Sequence, residues 1–119
     1  MNSGEMGETL ACRYLKKKGY KILERNFRSR WGEVDIIAQD GEYTVFVEVK
    51  TRKNALFGTP AEFVTPAKMR KIIKTAMVYL KNEERYMRFD VAEVYMNNYV
   101  YRINYIENAF GGNYEIFSD

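Results

Sequence analysis

Trp31-Gly32-Glu33-Val34-Asp35-Ile36-Ile37-Ala38-Gln39-Asp40-Gly41-Glu42-Tyr43-Thr44-Val45-Phe46-Val47-Glu48-Val49-Lys50 reads as two β-strands joined by an Asp-Gly turn. Asp-Gly between two β-rich runs is among the strongest short hairpin signals. A two-residue loop at Asp40-Gly41 pairs Gln39 with Glu42, which sets Asp35 opposite Phe46 and Glu33 opposite Glu48. Glu48 is then the diagonal neighbour of Asp35, about 7 Å away at the backbone. Alternation along the strands puts Glu33, Asp35, Phe46, Glu48 and Lys50 on one face, and Val34, Ile36, Val45, Val47 and Val49 on the other, a core face. Acids carried inside apolar strands are costly unless something pairs with them.

The rest of the chain limits what that partner can be. The 119 residues, 46% hydrophobic and 29% charged, are expected to form one folded domain, 1–119, with its own core. No apolar run approaches the ~18 residues of a membrane helix. The start, Met1-Asn2-Ser3-Gly4-Glu5, lacks the basic-then-apolar pattern of a signal peptide, so a cytoplasmic location and no membrane partner are expected. Cys12 is the only cysteine and there is no histidine, which removes intramolecular disulfides, multi-cysteine zinc sites, and every histidine-based triad, general base or metal site. Any enzyme chemistry must therefore use carboxylates, lysine, tyrosine, or a metal held by oxygen. A net charge of +3 says little by itself; where the charge sits matters more.

Upstream, residues 4 to about 18 predict a helix with Gly7, Leu10, Ala11, Tyr14 and Leu15 on one arc. Glu8 falls at the edge of that arc, pointing toward the body of the domain, while Glu5 lies outside it. Lys16-Lys17-Lys18-Gly19 closes the helix with cations and a glycine, and reads as a solvated end. A strand over 20–27 follows, and then a basic loop with Arg28 and Arg30. Downstream, Thr51 to Thr65 reads as a loop. Thr65-Pro66 caps a second helix running to about Asn82, with Met69, Ile72, Ile73, Ala76, Met77, Tyr79 and Leu80 on its apolar stripe. Arg70, Lys71, Lys74 and Lys81 line the opposite side. Strands over 88–95 and 99–106 flank an Asn97-Asn98 turn, and the tail from about 107 to 119 is expected to be partly irregular. The order α-β-β-β-α-β-β predicts an α/β fold, helices flanking a mixed sheet.

The plain reading of the acidic face is a solvated side of a hairpin. Three features count against it: Glu33 and Glu48 repel if directly opposed, Phe46 shares their face, and Glu8 points to the same neighbourhood. Carboxylates converging without histidine or cysteine suit a hard divalent cation, Mg²⁺ or Mn²⁺. A lysine beside such a site can activate a water or stabilise charge on a phosphoryl group. The basic side of the second helix and Arg28, Arg30 and Arg52 could contact backbone phosphates.

Asp35 on one strand and Glu48-Val49-Lys50 on the next resemble the PD-(D/E)XK nuclease superfamily, and Glu8 on the preceding helix resembles the archaeal Holliday junction resolvases within it. The chain is similar above all to the YraN-like uncharacterised bacterial protein family. Gly7-Glu8, Gly32-Glu33-Val34-Asp35-Ile36-Ile37-Ala38, Phe46-Val47-Glu48-Val49-Lys50-Thr51-Arg52, Arg88-Phe89-Asp90-Val91 and Ile106-Glu107-Asn108-Ala109-Phe110 carry that similarity over nearly the whole length. The resemblance implies a restriction-endonuclease-like sheet. It also implies metal binding by Asp35, Glu48 and the Val49 carbonyl, with Glu8 as a direct or water-mediated ligand, and a Lys50 that assists the nucleophilic water. The proline of the superfamily name is replaced by Val34, and Glu33 has no assigned role.

The expectation is a metal-dependent endonuclease hydrolysing DNA phosphodiester bonds, branched or structured DNA included. Nucleic-acid contacts are expected from Arg28, Arg30, Arg52, Lys68, Arg70, Lys71 and Lys74, and a homodimer would suit a symmetric junction. The alternative is a non-catalytic nucleic-acid-binding or scaffold protein that keeps the fold. A protein-binding role for Tyr99, Tyr101 and Tyr105, two apart along a strand, is a third reading.

Overall fold

The computed structural model describes residues 2–53, 64–83, 85–97 and 100–111. The elements follow the expected order: α1 (Ser3–Lys17), β1 (Lys21–Ser29), β2 (Gly32–Asp40), β3 (Tyr43–Lys53), α2 (Pro66–Leu80), β4 (Met87–Asn97) and β5 (Val100–Phe110). The strands form one mixed sheet in the order β1-β2-β3-β4-β5. β3 and β4 run parallel across the α2 connection, and the other neighbours are antiparallel.

Local chemistry explains the helix ends. Asn2 Oδ1 accepts the Glu5 amide at 2.8 Å, and Thr65 Oγ1 accepts the Lys68 amide at 3.2 Å with Pro66 opening the helix. Gly19, at φ +92°, turns the chain out of α1.

The helices cover opposite faces of the sheet. α1 packs Leu10, Ala11, Cys12 and Leu15 with Ile36, Ala38, Val45, Val47, Ala92 and Val94. α2 packs Ile72, Ile73, Ala76 and Leu80 with Val34, Ile37, Phe46, Phe89 and Val91. The face that carries the acids is therefore covered as well, and Phe46 is fully buried.

Hairpin register departs from expectation. Asp40 pairs with Tyr43 and Ile37 with Phe46, so the loop is Gly41-Glu42 rather than Asp40-Gly41. Gly41 takes the positive φ (+57°) at the first loop position, a place some two-residue hairpin turns reserve for glycine. This slip of two residues preserves parity, so the side chains of the paired segment stay on their expected faces. Val34 is the exception. It packs in the α2 cluster while Ile36 packs in the α1 cluster, so alternation breaks at Asp35, beyond the last β2–β3 pair, Ile36 with Val47.

Other boundaries moved too. Residues 107–110, expected in an irregular tail, are strand, and Thr51–Lys53, expected in a loop, complete β3. Residues 54–63 and 112–119 lie outside the described residues, as do Asn98 and Tyr99 of the second turn, which Asn97 and Val100 close as a pair. Tyr105 is not a free surface tyrosine. Its ring meets Tyr14 and Tyr20, and its hydroxyl donates to the fully buried Asp90. Asp90 also binds the Arg88 guanidinium at 3.0 Å and the Asn108 amide at 2.9 Å, while Arg88 reaches Asp40 at 3.0 Å. This network ties three strands together, which gives the Arg88-Phe89-Asp90-Val91 stretch and Asn108 a structural role. Lys18, expected to be solvated, lies over the rings of Tyr14, Tyr20 and Tyr105 and 3.4 Å from Glu107.

Gly7 is where α1 comes nearest to β3. A Cβ there would stand far inside contact distance of Thr51 Oγ1. Gly7→Ala is expected to cost about 1–3 kcal/mol by overpacking, and thermal melting should show Thr51→Ala restoring most of the loss. A Gly7→Ala protein as stable as wild type would contradict this close approach.

Candidate functional site

The β2–β3 ladder stops where the acids begin. The expected Glu33–Glu48 opposition does not form: the paired register ends at Ile36 with Val47, and beyond it the charge of Glu48 acts on Asp35. Asp35 Oδ2 accepts the Val49 amide at 2.7 Å, so the side chain takes over a β3 N–H at the end of the ladder. Glu33 instead pairs with Arg28 at 3.3 Å, across the β1–β2 ladder.

Glu48 is 5% exposed. Its Oε1 lies 2.7 Å from Lys68 Nζ and 3.9 Å from Lys50 Nζ. Lys68, expected as a nucleic-acid contact, is brought onto the acid by the first turn of α2. Gly32, Glu33, Asp35 and Glu48 from the sheet and Lys68 and Lys71 from α2 line a cleft of about 430 Å³.

Electrostatics here are unbalanced. Burial, then the charge of Glu48, pushes the Asp35 carboxyl up to about 7, against the downward pull of the Val49 N–H. Burial also raises Glu8, offset in part by a hydrogen bond from Asn26 and by Arg25, 3.8 Å away. Burial and the neighbouring Lys68 ammonium lower Lys50 below the ordinary lysine range. Burial works against the charge on Lys68 too, but its hydrogen bond to Glu48 and that carboxylate's charge outweigh it, so its pKa is raised. Of the two lysines, Lys50 gives up its proton first.

The expected nucleic-acid residues divide into groups. Lys71 lines the cleft, and Lys74 and Arg30 lie against the Trp31 ring at 4.4 and 4.5 Å. Arg28 is exposed though paired with Glu33, and Arg70 is exposed on α2. Arg52 differs: it is largely buried, 3.8 Å from Glu93 Oε2.

Glu93 is the acid that sequence reasoning missed. It pairs with Lys50 in the β3–β4 register, is 2% exposed, and accepts from Asn104 Nδ2 at 2.8 Å. An acid inside the apolar run Val91-Ala92-Glu93-Val94 carries the same signal that drew attention to Glu48.

Fold and cleft together define an α/β protein with a mixed five-stranded sheet whose buried acids and lysines meet where β2 and β3 part. Residues 7–94 match the model of the family described as "Uncharacterised protein family UPF0102". A UPF0102 protein of Syntrophomonas wolfei subsp. wolfei is 48% identical over 110 residues, covering 90% of this chain and 96% of that protein. One from Clostridium botulinum (strain Loch Maree / Type A3) is 49% identical over 113 residues, covering 90% and 92%. The chain belongs to the UPF0102 family.

Proposed function

We propose that the protein is a Mg²⁺- or Mn²⁺-dependent endonuclease that hydrolyses phosphodiester bonds of DNA, branched or structured DNA included. The observation that carries this reading is half-buried Asp35 within the field of buried Glu48, beside a lysine whose pKa is lowered. The resemblance of Asp35 and Glu48-Val49-Lys50 to the PD-(D/E)XK superfamily, and of Glu8 to the archaeal resolvases, supports it.

The donor set fits a hard cation. It is all oxygen, burial and the charge of Glu48 push the Asp35 carboxyl up, and Glu48 already holds an ammonium at 2.7 Å. Among the described residues no three His, Cys, Asp or Glu side chains form a group that could hold an ion. Asp35 and Glu48 would therefore hold it with the Val49 carbonyl, and Glu8, turned toward Arg25, would reach it through water. When bound, the ion supplies Lewis-acid stabilisation of charge developing on the phosphoryl group.

Lys50, pushed toward its neutral form by burial and Lys68, accepts a proton from the water that attacks phosphorus in line with the departing 3′ oxygen. That oxygen takes a proton from solvent, leaving a 3′ hydroxyl and a 5′ phosphate. Lys68 and Lys71 hold the scissile phosphate in the cleft, and Arg28, Arg30, Arg70 and Lys74 hold its neighbours. Glu93 draws Arg52 inward and braces β3 beside Lys50.

The second reading, a nucleic-acid-binding protein without catalysis, is favoured by one contact: Lys68 can neutralise Glu48 with no ion present. A panel of duplex, single-stranded, flap and four-way-junction DNA, each with Mg²⁺, Mn²⁺ or chelator, separates the two. Cutting that needs the ion supports the nuclease; salt-sensitive binding with no cutting of any substrate supports the binder.

A further inference from the structure

Trp31 is the only tryptophan and is 37% exposed. It sits in the β1–β2 turn, immediately before Gly32 at the rim of the cleft. The turn is held firmly: Ser29 Oγ accepts the Trp31 amide at 3.0 Å and lies 2.8 Å from Thr75 Oγ1 of α2. Gly32 leaves the turn at φ +149°, and a Cβ there would touch Lys71. These contacts hold the backbone from which the indole projects, and the ring itself meets Arg30 and Lys74.

Around it the chemistry is cationic. Arg30 and Lys74 lie against the ring, and Lys71 and Lys68 continue the positive line into the cleft. A part-exposed aromatic ring on a braced turn, in a row of cations leading to buried acids, matches one kind of partner. That partner presents phosphates at regular spacing and, between them, flat π-faces. Paired bases inside a duplex stack on each other and offer no free face. An unpaired base does: it would take the place of Arg30 or Lys74 over the indole, and the displaced cation would pair with a flanking phosphate.

The geometry points to Trp31 as a stacking platform for an unpaired base next to the phosphate held in the cleft, so that the preferred substrate is DNA with a single-stranded segment at this rim. This rests on the nuclease reading for the identity of the cleft, but the stacking itself needs no catalysis. An acidic protein partner would satisfy the cations and leave the ring unused.

With one indole in the chain, its fluorescence reports on Trp31 alone when tyrosine excitation is avoided. Single-stranded oligothymidine, a blunt duplex of equal length and a duplex with a single-stranded flap are titrated into the protein with chelator present. The single strand and the flap are expected to quench Trp31 at saturation, and the blunt duplex to leave it nearly unchanged. Trp31→Ala should weaken single-strand and flap binding about tenfold, within the range of one base-aromatic stack, leave duplex binding as it was, and be partly rescued by Trp31→Phe. Equal quenching by duplex, saturation with single strand without quenching, or no binding of single strand would each overturn the inference. Ion-dependent cutting without quenching would sink the stacking and leave the nuclease standing; quenching without cutting would do the reverse.

Discussion

Asp35→Asn is expected to melt at a higher temperature than wild type when no divalent ion is present. Asp35 is an acid whose folded-state pKa, about 7, stands above its ordinary 3.8. The folded chain therefore binds the proton more tightly than the unfolded chain. The stability this group contributes is complete below its unfolded pKa and is lost as pH rises through about 7. Above that, ionised Asp35 costs up to about 4 kcal/mol, taking ~1.4 kcal/mol per pKa unit. Asparagine keeps an acceptor for the Val49 amide and carries no charge. The melting gap should be widest above pH 7, on the order of 10 °C for a domain of this size, and should close toward pH 4. Adding Mg²⁺ or Mn²⁺ at pH 8 should raise the wild-type transition and leave Asp35→Asn where it was. An Asp35→Asn protein less stable than wild type at every pH would show that the charge on Asp35 is already compensated within the chain.

Lys50→Met should slow cleavage by about 10²–10⁴-fold, the usual range for losing a positioned proton acceptor, and leave DNA affinity close to wild type. Lys50 is the lysine that burial and Lys68 drive toward the neutral form. Wild-type cutting should therefore climb with pH as Lys50 loses its proton, and single-turnover rates for Lys50→Met should lack that climb. A Lys50→Met rate equal to wild type would move the proton acceptor elsewhere. A loss of binding instead of rate would make Lys50 a phosphate contact.

Much of this was legible in the sequence because β-strand faces depend only on parity. The turn was placed one residue early, which slips the pairing by two, yet Ile36, Val45 and Val47 still shared one face and Ile37 and Phe46 the other. What parity could not supply was who stands opposite whom. The β2–β3 register rests on Gly41 taking the first loop position instead of the second. The break at Asp35 was also hidden, since a side chain capping a backbone N–H leaves no periodic trace. α2 showed its apolar stripe plainly, but a stripe does not give a helix its angle over the sheet. Lys68 thus read as one basic residue among several, although it reaches Glu48 at 2.7 Å. Glu93 carries the same signal as Glu48, an acid inside an apolar run, but its partner Lys50 stands on a parallel neighbour whose register no turn sets.

The central claim is that Asp35 and Glu48 carry ion-dependent phosphodiester hydrolysis. Its most direct test is cleavage of one DNA substrate by wild type and Glu48→Ala side by side in Mg²⁺, with the variant first shown to melt cooperatively and to bind that DNA. Cutting by wild type, abolished by chelator and absent from Glu48→Ala, is the predicted result. Mg²⁺-dependent cutting that survives Glu48→Ala would contradict it.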